Sequence, residues 1–178
     1  MLRLNRHLSR CVFHVSPMPE AFVVDSQATH LRTVFRWLKR EHLEDFEGMS
    51  GFYLHRSIIR KAFQESEMKC LVVGRIVVGF ATIRLRESYS RIELFEIRPG
   101  YRNKGYGRQF AAYIIRFLLS KGAPYIAVEC SPQTSESFWR SLGFETHEAK
   151  PHMYANPKLW LRAHGPNSSL QATASGCA

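Results

Sequence analysis

The stretch from Ile97 to Arg108, IRPGYRNKGYGR, constrains the fold most, because a strand must end and a helix must begin within it. Gly105 and Gly107 remove side chains where backbone must approach a ligand closely. The start of the helix offers unpaired N–H groups and the positive end of the helix dipole, which together suit a phosphate group. Four cations add to this turn: Arg98, Arg102, Lys104 and Arg108.

Two common phosphate-binding loops do not fit this turn. A Rossmann turn needs GxGxxG, but Phe110 stands where the third glycine or alanine belongs. The GxxxxGK[ST] pattern of a Walker loop is absent. The turn therefore indicates another kind of phosphate cradle. From two glycines and four cations alone, a helix that merely starts with flexible residues stays open as the alternative.

The rest of the chain mixes strands with inserted helices. Their order is β, α, α, β, β, β, α, β, α, β, which does not alternate strictly, so we expect one α+β domain with a mixed sheet rather than a doubly wound one. The predicted strands are 22–24, 70–80 with a tight turn at 74–75, 91–98, 125–129 and a weak strand near 152–155. The predicted helices are 28–40, 51–65, 105–120 and 133–142.

The length of 178 residues leaves room for one domain with tails. Residues 1–20 hold three arginines and no acid before Glu20, which predicts a basic arm, with a targeting presequence as the alternative. The domain is expected over residues 21–160, and the polar, aperiodic residues 161–178 are typical of a disordered tail. Because the arm lacks the long apolar region of a secretory signal, we expect a cytoplasmic protein.

Composition excludes several classes of protein. The chain is 45% apolar, yet no apolar run approaches the roughly 18–20 residues of a membrane helix. Its histidines lack HxH and HExxH spacing, so no metal is expected. The net charge of +10 implies an anionic partner without identifying it. The scattered cysteines indicate neither a zinc ribbon nor a disulfide framework: Cys11, Cys70, Cys130 and Cys177.

At the turn, the sequence resembles the GNAT superfamily of acyl-CoA-dependent N-acetyltransferases. The pattern of that family is (Q/R)xxGx(G/A) with a proline upstream, and residues 102–107 (RNKGYG) match it, with Pro99 in place. Residues 76–80 (IVVGF) and 137–144 (SFWRSLGF) are also similar to the family. The resemblance covers roughly residues 22–155. It implies a GNAT-like mixed, mostly antiparallel sheet flanked by helices, with a bulged, splayed central strand.

The resemblance also implies acetyl-CoA as co-substrate. Backbone amides from about Asn103 to Gly107 would hold its pyrophosphate, and the backbone of Glu96 and Ile97 would bond the pantetheine amides. The full set of expected cofactor-binding residues is Glu96, Ile97, Arg98, Arg102, Asn103, Lys104, Gly105, Tyr106, Gly107, Arg108, Phe138 and Trp139.

The strand at 91–98 independently predicts the bulge. Ile92 and Leu94 are apolar at period two, and so are Phe95 and Ile97, but the two pairs are out of phase. One extra residue between Leu94 and Phe95 would cause that slip. A strand that is buried on both faces near its end is the alternative.

Acetyl transfer to an amine needs a base for the amine proton and a donor for the oxyanion, but no covalent enzyme intermediate. Glu129 ends an otherwise apolar strand, Glu93 precedes the bulge and Glu96 lies at it. We predict Glu129 and Glu93 as the catalytic carboxylates, with Glu96 as a third candidate. Partial burial would raise the pKa of such a carboxylate to a useful value, and an ordinary salt bridge to arginine is the alternative.

Trp139 departs from the family pattern, because many GNAT enzymes carry there a tyrosine that can protonate the departing thiolate. An indole N–H donates a hydrogen bond but is no general acid near neutral pH. Solvent, Tyr89 or Tyr101 would then supply the proton. The departure also supports a rival hypothesis, in which the chain is a non-catalytic acyl-CoA-binding regulator on the same fold.

The acceptor site in the family is walled by the first two helices and their connection. Here four of the chain's 15 acids fall within residues 41–47, including Glu44 and Asp45, which predicts an acidic mouth for a cationic small molecule or peptide amine. A solvated helix end is the alternative. An RNA- or tRNA-linked acetyltransferase is a further hypothesis from the charge, without an RNP-like or finger motif to support it. A homodimer is expected by analogy of fold alone.

Replacing Glu44 and Asp45 by asparagine is expected to raise the KM for a cationic amine, because two negative charges leave the proposed mouth. Steady-state acetylation rates measured over an amine panel test this. An unmoved KM would contradict the acidic mouth.

Overall fold

The computed structural model describes residues 20–44, 51–146 and 156–163, and these form a seven-stranded sheet in the order β1-β2-β3-β4-β5-β7-β6. The strands are β1 (Ala21–Asp25), β2 (Met68–Val73), β3 (Ile76–Arg84), β4 (Ser90–Ile97), β5 (Tyr125–Glu129), β6 (Glu145–Thr146) and β7 (Lys158–Arg162). The helices are α1 (Ala28–Glu44), α2 (Arg56–Gln64), α3 (Tyr106–Ser120) and α4 (Glu136–Arg140). Single 3-10 turns precede α2, α3 and α4.

The sheet is mixed and mostly antiparallel, as expected. β4 and β5 run parallel, whereas the other neighbouring pairs of the described sheet run antiparallel. A parallel pair needs a crossover connection, and α3 supplies it between β4 and β5. The fold is therefore the α+β arrangement that the order of elements predicts.

Helices cover both faces of the sheet and form two cores. The α3-side core is built around Phe110, Ile114 and Leu118, which recur on one stripe of α3. The α1-side core is built around Val34, Trp37 and Leu38 of α1 with residues of α2. The sheet residues that belong to one core or the other show which face of the sheet their side chains occupy.

Glu93 is the extra residue of a bulge in β4. Thr82 of β3 pairs with Leu94 and Ile83 pairs with Ile92, so Glu93 has no partner of its own in this register. Ile92 consequently belongs to the α3-side core and Leu94 to the α1-side core. The sequence prediction of a bulge is confirmed, but its position between Leu94 and Phe95 is wrong. Both flanking residues are buried, so hydrophobicity alone does not reveal that they face opposite sides.

The bulge ends the pairing between β4 and β5. Ser90, Arg91 and Ile92 pair with Ile126, Ala127 and Val128, and β4 then runs on to Ile97 without further pairing to β5. The two parallel strands therefore diverge beyond Ile92. This divergence is the splayed central strand that the resemblance implies, and we call the space between the diverging strands the β4–β5 opening.

The far edge of the sheet differs from the sequence prediction. β7 pairs with β5, and the short β6 pairs with β7. The strand expected near 152–155 lies outside the described residues, as does most of the basic arm, and β7 ends at Arg162, two residues past the expected domain boundary. No described helix has the length and apolar character needed to cross a membrane.

Gly79 allows β3 to lie close to β4, and substitution there is expected to destabilise the fold. A Cβ at Gly79 would lie 2.7 Å from Ile97 Cδ1 and 3.1 Å from the Glu96 carbonyl oxygen. We expect Gly79→Ala to lower the free energy of unfolding by about 1–3 kcal/mol through overpacking. Urea denaturation measures this change.

Gly100→Ala is the matched control for Gly79→Ala. A Cβ at Gly100 meets no described atom within 4 Å, so the free energy of unfolding should change by less than about 0.5 kcal/mol. Equal effects of the two substitutions would contradict the overpacking argument.

Candidate active site

The turn between β4 and α3 has the backbone geometry of an anion cradle. Asn103 and Gly105 both adopt positive φ, 60° and 79°, which explains why asparagine and glycine stand there. α3 begins immediately afterwards at Tyr106. The first N–H groups of a helix have no intrahelical acceptor, and the turn residues that lead into α3, 102–105, are exposed to solvent. Such a site favours a phosphate.

Gly107 keeps the floor of this cradle open. A Cβ at Gly107 would sit 3.6 Å from Ile97 Cγ1 and 3.7 Å from Phe138 Cε2. These are ordinary contact distances, so packing alone does not demand glycine there. A side chain would instead fill the space between the first turn of α3 and the end of β4. The geometry fits a ligand whose phosphates must approach the backbone closely.

Arg102 ties the turn to β4 and to α1. Its Nε donates to the Ile97 carbonyl oxygen at 2.8 Å. Its Nη2 donates to Glu41 Oε1 at 2.8 Å and to Glu96 Oε1 at 2.9 Å. The sequence placed Arg102 among the cations of the cofactor site, whereas the structure commits its guanidinium to β4 and to α1. Sequence reasoning counted Glu41 in the acidic segment 41–47 but missed its bond to Arg102, because the two residues are 61 positions apart.

The other cations of the turn lie at its surface. Lys104 Nζ donates to the Gly100 carbonyl oxygen at 2.8 Å. Arg108 Nη2 donates to Ser141 Oγ at 2.9 Å and thereby ties α3 to the end of α4. Lys104 and Arg108 are exposed, and Arg98 is half-buried at the end of β4. The structure therefore brings three of the four predicted cations to the outer side of the turn.

Backbone hydrogen bonds show which groups of β4 face the β4–β5 opening. Leu94 N–H donates to Thr82 Oγ1 at 3.1 Å and Arg98 N–H donates to the Val78 carbonyl oxygen at 2.8 Å, both on β3. Alternation along an antiparallel ladder then directs the backbone of Glu96 toward β3 as well, and that of Phe95 and Ile97 toward the opening.

This alternation corrects one expectation about the pantetheine contacts. The backbone of Glu96 faces β3 and not the opening. Ile97 does face the opening, but its N–H donates to Glu96 Oε1 at 3.1 Å and its carbonyl oxygen accepts from Arg102. Phe95 is the residue whose backbone N–H and C=O are directed to the opening without such a bond in the described structure. Sequence reasoning did not select Phe95, because it placed the bulge between Leu94 and Phe95 and therefore expected the contacts from Glu96 and Ile97.

Glu96 is a largely buried carboxylate on the α1 side of β4. Burial raises the pKa of Glu96 to about 7, although the neighbouring Arg102 opposes this shift. The Glu41 carboxylate on the far side of Arg102 raises the pKa of Glu96 further. The protonation of Glu96 therefore changes near neutral pH.

Glu93 and Glu129 both stand where β4 and β5 begin to diverge. Each directly follows the last residue of its strand that pairs with the other strand, Ile92 on β4 and Val128 on β5. Arg84 holds Glu93 with Nε–Oε1 and Nη2–Oε2 distances of 2.9 and 3.2 Å. Arg91 Nη2 donates to Glu129 Oε2 at 3.0 Å. The two carboxylates that the sequence singled out therefore follow the same point of strand divergence, and each is paired with an arginine.

Phe138 and Trp139 belong to an aromatic cluster on the α3 side. Trp139 is buried and packs edge-on against Phe95, Phe138 and Phe144, with centroid distances of 5.2, 5.0 and 5.3 Å. Phe138 stacks on Phe95 at 6.0 Å. Trp139 thus supports the strand segment that faces the β4–β5 opening.

Tyr89 and Tyr101, the two proposed sources of a proton for the thiolate, occupy different places. Tyr89 packs against Trp160 at 5.5 Å, on the same cavity as Glu93. Tyr101 packs against Tyr106 at 6.2 Å, within the phosphate turn. Tyr89 is therefore the tyrosine of the two that lies on the Glu93 side.

The described cysteines are buried thiols. Burial raises the pKa of Cys70 to about 12 and also raises the pKa of Cys130, which follows Glu129 directly. A protonated thiol is a poor nucleophile, which agrees with transfer that needs no covalent enzyme intermediate. Within the described ranges, no group of three or more histidine, cysteine, aspartate or glutamate residues could hold a metal ion.

The predicted acidic mouth is described only in part. Glu44 is exposed at the end of α1, and Asp45 lies outside the described residues. Glu41 faces Arg102 and is engaged there. The described part of this segment therefore serves partly to fasten α1 to the phosphate turn.

Comparisons with known proteins agree with the geometry of the turn. A family model described as the acetyltransferase (GNAT) family matches residues 31–144. A protein of Bacillus pumilus named an uncharacterized N-acetyltransferase is 31% identical over 93 residues, which cover 49% of this chain and 54% of that protein. The match to this relative thus spans about half of its length.

Solved structures show the same fold. The PaiA N-acetyltransferase of Thermoplasma acidophilum, in complex with coenzyme A, superposes with a TM-score of 0.66 at 10% identity and covers 81% of this chain and 99% of its own. The ribosomal-protein-S18-alanine N-acetyltransferase of Escherichia coli superposes with a TM-score of 0.62 at 16% identity, covering 83% and 98% respectively. At these sequence identities the similarity shows the fold alone.

Glu96 predicts a pH dependence of stability. Because the folded-state pKa of Glu96 is about 7 against an ordinary 4.5, its contribution is fully present below the ordinary value and is lost as pH rises through about 7. Glu96→Gln should remove this loss. Between about pH 5 and pH 8, the wild type should lose on the order of 2–3 kcal/mol more unfolding free energy than the variant.

Urea denaturation at both pH values measures the difference between wild type and variant. Glu145→Gln, which changes an exposed carboxylate on β6, should keep the pH dependence of unfolding free energy of the wild type. If Glu96→Gln also keeps that pH dependence, Glu96 is not the group responsible for it.

Proposed function

The chain belongs to the acetyltransferase (GNAT) family, and from this membership we propose that it transfers an acetyl group from acetyl-CoA directly to a primary amine. The observation that carries the proposal is the course of the β4–β5 opening. It has the phosphate turn at one end and the paired carboxylates Glu93 and Glu129 at the other. Such an opening suits a long ligand with an anionic head and a reactive tail.

Acetyl-CoA supplies an activated acetyl group as a thioester. The amides at the start of α3, with Lys104 and Arg108 beside them, would hold its pyrophosphate. The backbone of Phe95 would bond the pantetheine arm or the acetyl oxygen, because its polar groups face the opening. Phe138 packs beneath that segment and fixes it.

We assign Glu93 as the base that takes the amine proton. Glu93 lines a cavity on the α1 side of the sheet, where an acceptor can reach the point of strand divergence. Once the proton has left, the amine nitrogen bonds to the acetyl carbon and the carbon–sulfur bond breaks. The Phe95 N–H would stabilise the oxyanion formed between these two events. The thiolate then takes a proton from Tyr89 or from solvent.

Glu129 remains the second candidate for the base. Its Oε2 accepts from Arg91, and its Oε1 accepts from Asn156 Nδ2 at 3.4 Å. Both carboxylates are ion-paired, but Glu93 lines the cavity through which an amine would arrive, whereas Glu129 is not among the residues that line it. We therefore propose that Glu129 positions Arg91.

The acceptor is proposed to be a primary amine on a small molecule or a peptide. The structural neighbour from Escherichia coli is named for acetylating an alanine of a ribosomal protein, so peptide amines belong in any substrate panel. A non-catalytic acyl-CoA-binding protein is the second candidate. The burial of Trp139 in the core favours it, because no acid then stands at that position.

Glu93→Gln is expected to lower kcat by at least about 100-fold, because it removes a general base. Thiol release from acetyl-CoA with a panel of primary amines measures the rate. Glu129→Gln should reduce the rate less, and the exposed Glu145→Gln should not change it. Wild type and Glu93→Gln should show the same rise in Tm on adding acetyl-CoA.

The pattern of results separates the candidates. A rise in Tm without thiol release from any amine would favour the non-catalytic protein. No rise in Tm at saturating acetyl-CoA would refute both candidates. A larger loss with Glu129→Gln than with Glu93→Gln would exchange the two assigned roles.

A further inference from the structure

A cavity of about 350 Å³ opens on the α1 side of the sheet, beside the bulge. Its wall contains one carboxylate, Glu93, and one phenol, Tyr89. Four cations from separate parts of the chain complete this charged wall: Lys61, Arg84, Arg86 and Arg91. A space of this size suits part or all of a small molecule.

Two of the cations are forced together by the sheet. Arg84 of β3 and Arg91 of β4 pair directly across the strands, so both side chains emerge on the same face. Like charges in that position are destabilising. Their carboxylate partners, Glu93 and Glu129, offset the repulsion. The sheet thus keeps two guanidinium groups adjacent at the cavity.

Hydrogen-bonding capacity remains after this pairing. A guanidinium carries five N–H donors. Arg84 Nη2 donates one hydrogen bond to Glu93, and Arg91 Nη2 donates one to Glu129. Both arginines therefore retain donors for a further acceptor.

The two cations at the outer edge of the cavity, Lys61 and Arg86, have weaker carboxylate pairing than Arg84 and Arg91. Lys61 has a contact to Glu65 at 3.8 Å on the exposed surface of α2. Glu65 and Glu67 also lie near Arg84, but neither lines the cavity. Arg86 has no ion pair in the described structure, so Lys61 and Arg86 provide a positive outer edge.

We propose that this cavity binds an oxyanion, either a carboxylate or a phosphate, carried by the acceptor amine. The inference rests on the proposed function, which it makes more specific. The acceptor would be a zwitterion whose anionic group lies toward Lys61 and Arg86 and whose amine lies at Glu93. The cavity thus selects an amine that carries its own negative charge, in contrast to a polycationic acceptor.

Binding of matched probe pairs tests the proposal independently of turnover. Phosphoethanolamine is compared with ethanolamine, and β-alanine with β-alaninamide, by calorimetric titration of the protein in the presence of coenzyme A. We expect at least one anionic probe to bind about tenfold more tightly than its neutral counterpart, as one charge-assisted contact provides. Whichever pair shows this preference identifies phosphate or carboxylate as the group.

The double variant Lys61→Gln/Arg86→Gln should abolish this preference. Arg116→Gln/Lys121→Gln removes the same charge from α3 and the residue after it, on the other face of the sheet, and should retain the preference. In thiol-release assays, the first variant should raise the KM for the preferred anionic amine about tenfold and leave kcat within about twofold.

Three outcomes would overturn the proposal: equal binding of charged and neutral probes, a preference retained in Lys61→Gln/Arg86→Gln, or one lost equally in the control variant. These outcomes differ from failure of the proposed function, which would appear as no rise in Tm with acetyl-CoA. Oxyanion binding without thiol release would support the cavity and count against the transferase.

Discussion

The bulge at Glu93 is the constraint on which the rest of the structure depends. One extra residue turns the side chains that follow it to the opposite face of the sheet, so that Ile92 and Leu94 belong to different cores. Pairing with β5 stops at the same point. The segment beyond it keeps β3 on one side and exposes the backbone of Phe95 on the other. A regular strand would place these residues equally well in a core but would leave no space between β4 and β5.

Charge is organised around that strand in two ways. Near the phosphate turn, Arg102 joins carboxylates from α1 and β4 and holds the turn against the sheet. Near the bulge, Arg84 and Arg91 lie opposite one another and each takes one carboxylate. The net charge of +10 therefore does not reveal that several of the cations are paired with nearby carboxylates. The unpaired positive charge matters most where it faces a cavity or a helix start, because a ligand can reach it there.

Sequence reasoning reached the fold through local signals and missed what depends on distant residues. The glycines and cations of the turn lie within 12 positions, so the pattern predicts the cradle directly. The bulge was predicted but misplaced, because burial of Ile92 and Leu94 does not say which face either occupies. β7 was not predicted: the last strand was expected near 152–155, and the expected end of the domain at residue 160 falls inside β7. The Glu41–Arg102 bond and the cationic cavity join segments that only the folded chain brings together.

The cavity and the phosphate turn are carried by different parts of the chain. The turn is built from the end of β4 and the start of α3, whereas the cavity takes its cations from α2, from the end of β3, from the hairpin loop before β4 and from the start of β4. Substitutions in that hairpin loop need not disturb the turn. Acceptor preference can therefore diverge through mutation of a surface loop while cofactor affinity is retained, which is a modular route to new substrates on an unchanged catalytic frame.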